Sequence, residues 1–432
     1  MPANRPILQV ALDLLDNHRA LQIAEEAVEG GVDWLEAGTA LIKSEGMNAI
    51  RELRHKFPDH TIVADMKTMD VGAFEVEMAS KAGANIVIIM GVSDDGTIKE
   101  AIRAGQQYGV KIMVDLMSVS DKIGRAQQLQ RFGADYLCIH VGIDEQMTGG
   151  NPAKELREVA QAVDIGIAAA GGLNSETVIN AMEAGAGIII VGGAITKASK
   201  VTDATKNILS AMDKFEPIKT DLYKKYGEEE IYSAFMKVSA PNIADAMHKK
   251  GAMVGIKPLR EGYKMAGRAV TVRTADGDWA KPVEAIDRAQ KGEIIVINSS
   301  SGHIAVWGEL ASWSCVTKGI GGVVIDGAVR DVDDIKKMDL PVFARHIAPN
   351  AGEPKGFGEI GAEITCGGIC VKNGDWIVGD DSGIMVIPSE RAREICNRAL
   401  DVHERENRIR EEIQRGSTLS KVLKLEKWEK QG

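Results

Sequence analysis

Aromatic side chains are scarce, with Phe, Trp and Tyr together only 4% of the 432 residues, so the cores must be built mainly from Val, Ile, Leu, Ala and Met. Proline is sparse too (12), while glycine is abundant (46), a balance that suits many short strand-to-helix loops and not disordered linkers. Excess positive charge is absent: the formal net charge is −10 and no block of Lys/Arg stands apart from nearby acids. That excludes a chain built to neutralise a nucleic-acid backbone, though not a basic pocket for one small phosphate. No apolar run approaches the roughly 20 residues that span a bilayer, so no membrane partner is expected. The start, MPANRPILQVALDLL, passes from one Arg into a strand-like segment containing Asp13, without a signal peptide's uninterrupted apolar stretch. The five cysteines (Cys138, Cys315, Cys366, Cys370, Cys396) are odd in number and scattered. Cys366 and Cys370 make a candidate pair, but no second pair, His cluster or secretory signal accompanies them, so reduced thiols in the cytoplasm are expected.

What is present points to two domains, because the chain is too long for one ordinary core. Hydrophobic residues at 44% and charged residues at 26% are the balance of a soluble globular protein. From Leu8 to about Met212 a short apolar run ending in polar residues or glycines recurs, each followed by an amphipathic helix. The runs are LQVALDL, VDWLEAG, TIVADMK, NIVIIMG, KIMVDLM, ADYLCIHVG, IGIAAAGG and GIIIVGGAI. Alternation of this kind predicts parallel βα units, and eight of them match a closed (β/α)8 TIM barrel better than an open doubly wound sheet. HRALQIAEEAVEGG typifies the helices, with apolar residues at 21, 23, 24, 27 and 28 and a Gly30–Gly31 stop.

The expected boundaries are 1–212 for the barrel, 213–230 for a charged linker with some helix, and 231–432 for a second domain. Residues 239–251 read as a helix there, followed by strand-like runs at GRAVTVR, EIIVINS, GGVVIDG, PVFAR, ITCGGICV, DWIVGD and GIMVIP. A helix is expected between 303 and 318 and a long charged one over 389–415. Strands mostly follow strands, which predicts a mixed β/α fold and not a second barrel.

Barrel enzymes place their chemistry at the C-terminal ends of strands. Those ends supply Asp13, Glu36, Asp65, Lys67, Asp70 and His140. In ADMKTMD, strand geometry points Asp65 and Lys67 to one side, into the barrel mouth, with Asp70 just beyond. Two acids flanking a Lys hold it charged, and Asp65 with Glu36 from the neighbouring strand can ligate a hard divalent cation. Gly171, Gly172, Gly192 and Gly193 close the seventh and eighth runs, where backbone amides can approach a phosphate. Metal, Lys, His and phosphate cradle together suit proton or carbon transfer beside a carbonyl, through an enediolate. Taken singly, the Asp-x-Lys-x-x-Asp triplet is the pattern of a surface salt bridge, His140 that of a structural histidine, and the glycine pairs that of turns. Lys197 reads as a solvated helix residue.

ALDLLD, DWLEAGT, VADMKTMDVGAFE, HVGIDEQ, AAGGLNSET and VGGAITKA resemble the orotidine 5′-phosphate decarboxylase superfamily, and within it the hexulose-6-phosphate synthases. The resemblance implies reversible aldol joining of formaldehyde to ribulose 5-phosphate, giving hex-3-ulose 6-phosphate. It implies Mg²⁺ (or Mn²⁺) on Glu36 and Asp65, enediolate stabilisation by Lys67, C1 proton transfer by His140, orienting roles for Asp13 and Asp70, and a phosphate site at the four glycines. The sister activity, decarboxylation of 3-keto-gulonate 6-phosphate, goes with an Arg three residues after the His. Ile143 stands there, which favours the synthase.

In the second half, GGVVIDGAVRDVDDI ends a strand with Arg330–Asp331, with Asp333 and Asp334 close behind and Glu309 in VWGEL upstream. An Arg among acids is a carboxylate-binding fork near a metal or an ordinary salt-bridged loop. IKPLREGYKMAGRAVTVR, WGEL, GVVIDGAVRDVDDI, PVFARHIAP and GDDSGIMVIP resemble the family of the regulator of ribonuclease activity A, which also holds class II 4-hydroxy-4-methyl-2-oxoglutarate aldolases. The resemblance implies Mg²⁺ on Asp331, with Glu309 where Asp is usual, a pyruvate-like carboxylate on Arg330, and an additional acid at Asp334. Either a 2-oxo acid aldolase or oxaloacetate decarboxylase, or a non-catalytic regulatory or oligomerising module, fits these residues. Both resemblances imply a homo-oligomer.

Overall fold

The computed structural model describes residues 5–142, 147 and 153–427. Two compact units divide the chain, one formed by the residues up to Lys225 together with those from Glu404 onward, the other by Tyr226–His403.

In the first unit eight strands follow one another around a closed barrel. They are β1 (Ile7–Leu12), β2 (Trp34–Ala37), β3 (Thr61–Thr68), β4 (Ile86–Met90), β5 (Lys111–Asp115), β6 (Tyr136–His140), β7 (Gly166–Ala170) and β8 (Ile188–Val191). Each is parallel to the next and β8 returns to β1, so the eight apolar runs are the eight staves. Alternation along each strand separates two cores. Ala11, Val63, Ile88, Met113, Cys138, Ala168 and Ile190 fill the interior. Their sequence neighbours Val10, Ile62, Val87, Ile112, Leu137, Ile167 and Ile189 face the helical layer. The first helix, Asn17–Glu29, starts where the Asp16 side chain accepts from the Arg19 N–H and buries Ala20, Ile23, Ala24 and Ala27 on one face. Gly31, at φ +96°, turns the chain back toward the sheet.

The second unit contains β9 (Lys257–Pro258), β10 (Met265–Thr274), β11 (Ile294–Asn298), β12 (Ala305–Trp307), β13 (Gly322–Val329) and β14 (Val342–Ile347). It continues with β15 (Gly358–Ile360), β16 (Ile364–Cys366), β17 (Ile369–Val371), β18 (Trp376–Asp380) and β19 (Gly383–Ile387). A mixed sheet runs β19-β18-β10-β11-β13-β14-β9, with β12 on β13 and β15 on β10, while β16 and β17 form a separate hairpin. Helices cover the sheet, and Phe235 meets Trp376 at 5.5 Å between ring centroids in one of the buried clusters.

Two local expectations change. The helix expected between 303 and 318 is helical only over Glu309–Lys318. Ala305–Trp307 are drawn into the sheet as β12 by pairing with β13, and extended Gly308 (φ −159°, ψ −166°) separates strand from helix. The run ITCGGICV is not one strand but the β16–β17 hairpin, because Gly367 and Gly368 take φ of +56° and +80° and reverse the chain. In the stretch read as a linker, a helix ends at Lys214, Ile218, Thr220 and Leu222 bond to the loop after β7, and a helix begins at Ile231.

Candidate active site

Parallel register brings the polar strand ends of the barrel to one mouth, since Glu36 lies beside Ala11 on β1 and Val63 on β3, and Asp115 lies between Met90 and Cys138. Glu36, Asp65 and Asp115 are all buried there. Lys67 Nζ donates to Asp65 Oδ2 at 2.7 Å and lies 3.6 Å from Asp115 Oδ2. His140 Nδ1 is 2.8 Å from the same Asp115 oxygen, and the other Asp115 oxygen accepts from the Met117 N–H. Asp115 therefore ties the lysine and the histidine together. Asp115 is not among the strand-end residues singled out from the sequence, although KIMVD puts it at a strand end with the inward parity of Glu36, Asp65 and His140.

Lys67 does not reach Asp65 by simple alternation. The β3–β4 register shifts between Asp65 and Thr68, and Lys67 takes φ +46°, a left-handed conformation that costs a non-glycine residue about 1–3 kcal/mol. This bulge aims the ammonium back at two carboxylates.

The charges explain one another. Burial works against the Lys67 ammonium, but Asp65 and Asp115 outweigh it and hold its pKa above the ordinary lysine range. Burial also opposes ionisation of Asp115, yet the His140 hydrogen bond, followed by the charges of His140 and Lys67, brings its carboxyl below the usual range. Asp115 is thus a carboxylate that accepts, and the Nδ1–H of His140 donates to it. Glu36 is pushed well above the carboxylate range by burial and then by Asp65 and Asp13. Asp13 is accessible at the mouth, but its carboxylate packs over Gly38 and near Gly192, and desolvation there followed by the Asp65 charge raises its pKa.

Buried carboxylates that repel one another fit a divalent cation. Asp65 Oδ2 is occupied by Lys67 and by Thr39 Oγ1 at 2.7 Å, while Asp65 Oδ1 is buried without a hydrogen-bond partner. Glu36 Oε2 accepts from Gln9 Nε2 at 2.5 Å. Among the described residues no three His, Cys, Asp or Glu side chains stand together as a complete metal-binding set. A hard cation that keeps water and substrate oxygens in its shell needs only one or two such carboxylates.

Gly171 and Gly172, at φ +101° and +69°, follow β7, and Gly192 and Gly193 follow β8, so the four expected phosphate-site glycines lie on adjacent loops of the same mouth. Gly193 also has a packing reason to lack a side chain, since a Cβ there would overlap the Tyr223 ring. Asp70 is exposed on the loop after β3, where its Oδ1 accepts from the next residue's N–H, and it is not gathered with the buried carboxylates. Lys197 lies 5.1 Å from the Tyr223 ring centroid. Ile143 falls outside the described residues.

In the second unit, pairing of β12 with β13 (Trp307 beside Val329) places Gly308–Glu309 next to Arg330–Asp331, at the carboxyl ends of two parallel strands. Asp331 Oδ2 accepts from the Glu309 N–H at 3.1 Å and lies 3.4 Å from Arg330 Nε. Asp331 holds φ +57°, another left-handed non-glycine residue at a strand end. The Glu309 carboxylate turns aside to accept from Trp313 Nε1 at 3.3 Å. Asp334 forms an exposed pair with Lys337 at 2.8 Å and does not join Arg330. A cavity of about 270 Å³ opens here, lined by Arg330, Asp331 and Glu309 together with Trp279, Trp307 and Leu310 among others.

Comparison with known proteins follows the same division. The profile of the Orotidine 5′-phosphate decarboxylase / HUMPS family matches residues 6–208, and the RraA-like Aldolase/RraA profile matches residues 240–386. A 3-hexulose-6-phosphate synthase of Bacillus subtilis is 38% identical over 201 residues, covering 46% of this chain and 95% of that protein. One from Mycobacterium gastri is 38% identical over 205 residues, 48% of this chain and 99% of that protein. The crystal structure of 3-hexulose-6-phosphate synthase from Salmonella typhimurium is 36% identical and covers 49% of this chain and 100% of that one, with a TM-score of 0.47. The chain therefore belongs, through its barrel, to the orotidine 5′-phosphate decarboxylase / HUMPS family of lyases, and carries an Aldolase/RraA domain fused behind it.

Proposed function

We propose that the barrel is a 3-hexulose-6-phosphate synthase, joining formaldehyde reversibly to D-ribulose 5-phosphate to give D-arabino-hex-3-ulose 6-phosphate. The observation that carries this reading is the Lys67–Asp115–His140 chain beside the buried Glu36–Asp65 pair. His140 Nε2 removes the C1 proton of the sugar phosphate while Asp115 holds the ring and steadies the imidazolium. The protonated Lys67 faces the oxygen on which enediolate charge gathers. C1 then forms the new bond to the formaldehyde carbon as its C=O π bond opens onto oxygen, and that oxygen takes the proton back from the His140 imidazolium to become the new hydroxyl. Glu36 and Asp65 would hold Mg²⁺ or Mn²⁺, which supplies Lewis-acid polarisation of the sugar carbonyl. Asp13 orients substrate at the mouth, and Asp70 has that role only from the exposed loop. Gly171, Gly172, Gly192 and Gly193 receive the phosphate.

The test is formaldehyde consumption with ribulose 5-phosphate and Mg²⁺, for wild type, Asp65→Ala and an EDTA control. Metal-dependent consumption lost in the variant supports the reading. Constant formaldehyde in wild type overturns it and turns the assay to decarboxylation of 3-keto-L-gulonate 6-phosphate.

For the second unit we infer a divalent-metal site for a 2-oxo acid, as in a class II pyruvate aldolase or oxaloacetate decarboxylase, with Arg330 as the carboxylate fork and Asp331 toward Mg²⁺. The cavity beside them supports chemistry over a purely regulatory or oligomerising module. Pyruvate release from a 4-hydroxy-2-oxo acid, dependent on Mg²⁺ and lost in Asp331→Ala, tests it; no turnover leaves the non-catalytic module. No helix among the described residues is long and apolar enough to cross a membrane. Homo-oligomerisation belongs to the same proposal, because Met69, Val71 and Phe74 present a run of exposed apolar side chains.

A further inference from the structure

The family profile of the barrel ends at residue 208, yet the first unit continues to Lys225 and takes up the chain again at Glu404. Both added segments lie on the loops that carry the phosphate-site glycines. Ile218 N donates to Ser175 O at 3.0 Å and Ser175 Oγ donates to Ile218 O at 2.8 Å. Thr220 N donates to Glu176 Oε1 at 2.6 Å, and Asn174 Nδ2 donates to Leu222 O at 3.4 Å. Asn174 and Ser175 are buried just after Gly171–Gly172. The Tyr223 ring then lies flush on Gly193, in the loop after β8, and is itself only 7% exposed. Tyr223 holds a left-handed φ of +54°, and its backbone N–H donates to the buried carboxylate of Glu404 at 2.5 Å. Farther along, Arg408 donates to Ala198 O and Ser199 O at 3.4 and 3.3 Å, with its guanidinium fixed by Glu26 and Glu412.

We propose that Tyr223, pinned by Glu404, is a positioning residue of the phosphate site. Residues 218–223 and the segment from Glu404 fix the loops after β7 and β8 in the shape that receives the phosphate. The proposal rests on the reading of the barrel as a sugar-phosphate enzyme. Its physical basis is pre-organisation. Glycine-rich loops give close approach to a phosphate but must lose backbone freedom to provide it. A rigid ring on Gly193 and a hydrogen-bonded strip along residues 174–176 remove that freedom before the ligand arrives, so binding need not.

The experiment uses the full chain and four variants: Tyr223→Ala, Tyr223→Phe, Glu404→Ala and Glu404→Gln. Kinetics with ribulose 5-phosphate, formaldehyde and Mg²⁺ are combined with hydrogen–deuterium exchange of residues 171–177 and 192–199. Both alanine variants should raise KM for ribulose 5-phosphate by about 10–100-fold while kcat stays within ~3-fold, the signature of lost ground-state and transition-state binding alike. Exchange in both loops should accelerate. Tyr223→Phe keeps the ring and Glu404→Gln keeps an oxygen acceptor, so both should behave as wild type. Unchanged KM and exchange in the alanine variants overturns the proposal, as does a fall in kcat alone. Should Tyr223→Ala fail to fold, Glu404→Ala decides by the same criteria. If wild type consumes no formaldehyde, the substrate reading fails, and calorimetric binding of inorganic phosphate then judges the positioning role: weaker binding in Tyr223→Ala sustains it, equal binding overturns it.

Discussion

Replacing Asp115 by Asn keeps the side chain's size but removes the charge that orients Nδ1–H of His140 and shares Lys67 with Asp65. The amide can turn its NH₂ toward His140 and favour the wrong tautomer, so kcat should fall by about 10²–10⁴-fold with little change in KM, measured by steady-state kinetics. A second residue-scale expectation concerns Glu36, whose raised pKa means the metal-free fold binds its proton more tightly than the unfolded chain does. Its contribution to metal-free stability is therefore present at low pH and is lost as pH climbs from about 4.3, the unfolded value, toward the raised one. A cation on Glu36 and Asp65 competes with that proton, so the rise in melting temperature on adding Mg²⁺ should grow with pH over that window and vanish in Glu36→Gln. Asp326 has the opposite sign. Burial opposes its charge, but Arg345, the Gly367 N–H and Ser301 outweigh it and hold its pKa low. The stability it confers is present above about pH 4 and lost as pH falls through its folded value, so the urea midpoint of the second unit should drop in acid, and less steeply in Asp326→Asn.

Elements show where local pattern suffices and where it does not. β3 ends in a bulge because Lys67 must reach Asp65 and Asp115, and no propensity announces a left-handed lysine. β12 became a strand because β13 offers it a parallel partner, although the apolar spacing around it reads as helix. The helix Ala392–Gln414 is legible as charged and amphipathic, but its pattern does not say that its later turns belong with the barrel unit. There Arg408, 3% exposed on its side chain, is held by Glu26 at 3.0 Å and by Glu412 at 3.0 Å. Arg408→Ala leaves Glu26 paired only with Arg415 and Glu412 only with Arg19, and the loss of these charged hydrogen bonds should cost the first unit about 1.5–3 kcal/mol of stability, read by chemical denaturation.

At the scale of the whole molecule, two sites with separate residues predict separable activities. Asp65→Ala should abolish formaldehyde consumption while sparing any pyruvate release, and Asp331→Ala should do the reverse, both assayed on the full chain. Assembly is tested in the same way. Phe74, 60% exposed beside exposed Met69 and Val71, should lose an oligomeric contact when changed to Asp, with a smaller mass by light scattering and an unchanged melting profile of the second unit.

By itself the sequence determined the eight-stave barrel and the placement of Glu36, Asp65 and His140, because period-two burial and strand-end position are local properties that any parallel barrel converts into one mouth, whereas Lys67 is aimed by the bulge at the end of β3. It determined the Arg330–Asp331 strand end as well, for the same reason. The tertiary structure alone decided that Asp115 couples Lys67 to His140, that Asp70 stays on an exposed loop, that Glu309 turns to Trp313, and that Tyr223 lies on Gly193. Each of these depends on which distant backbone comes within a few ångströms. That is set by strand register, by a bulge or by the return of a remote segment, and leaves no periodic trace in the residues concerned.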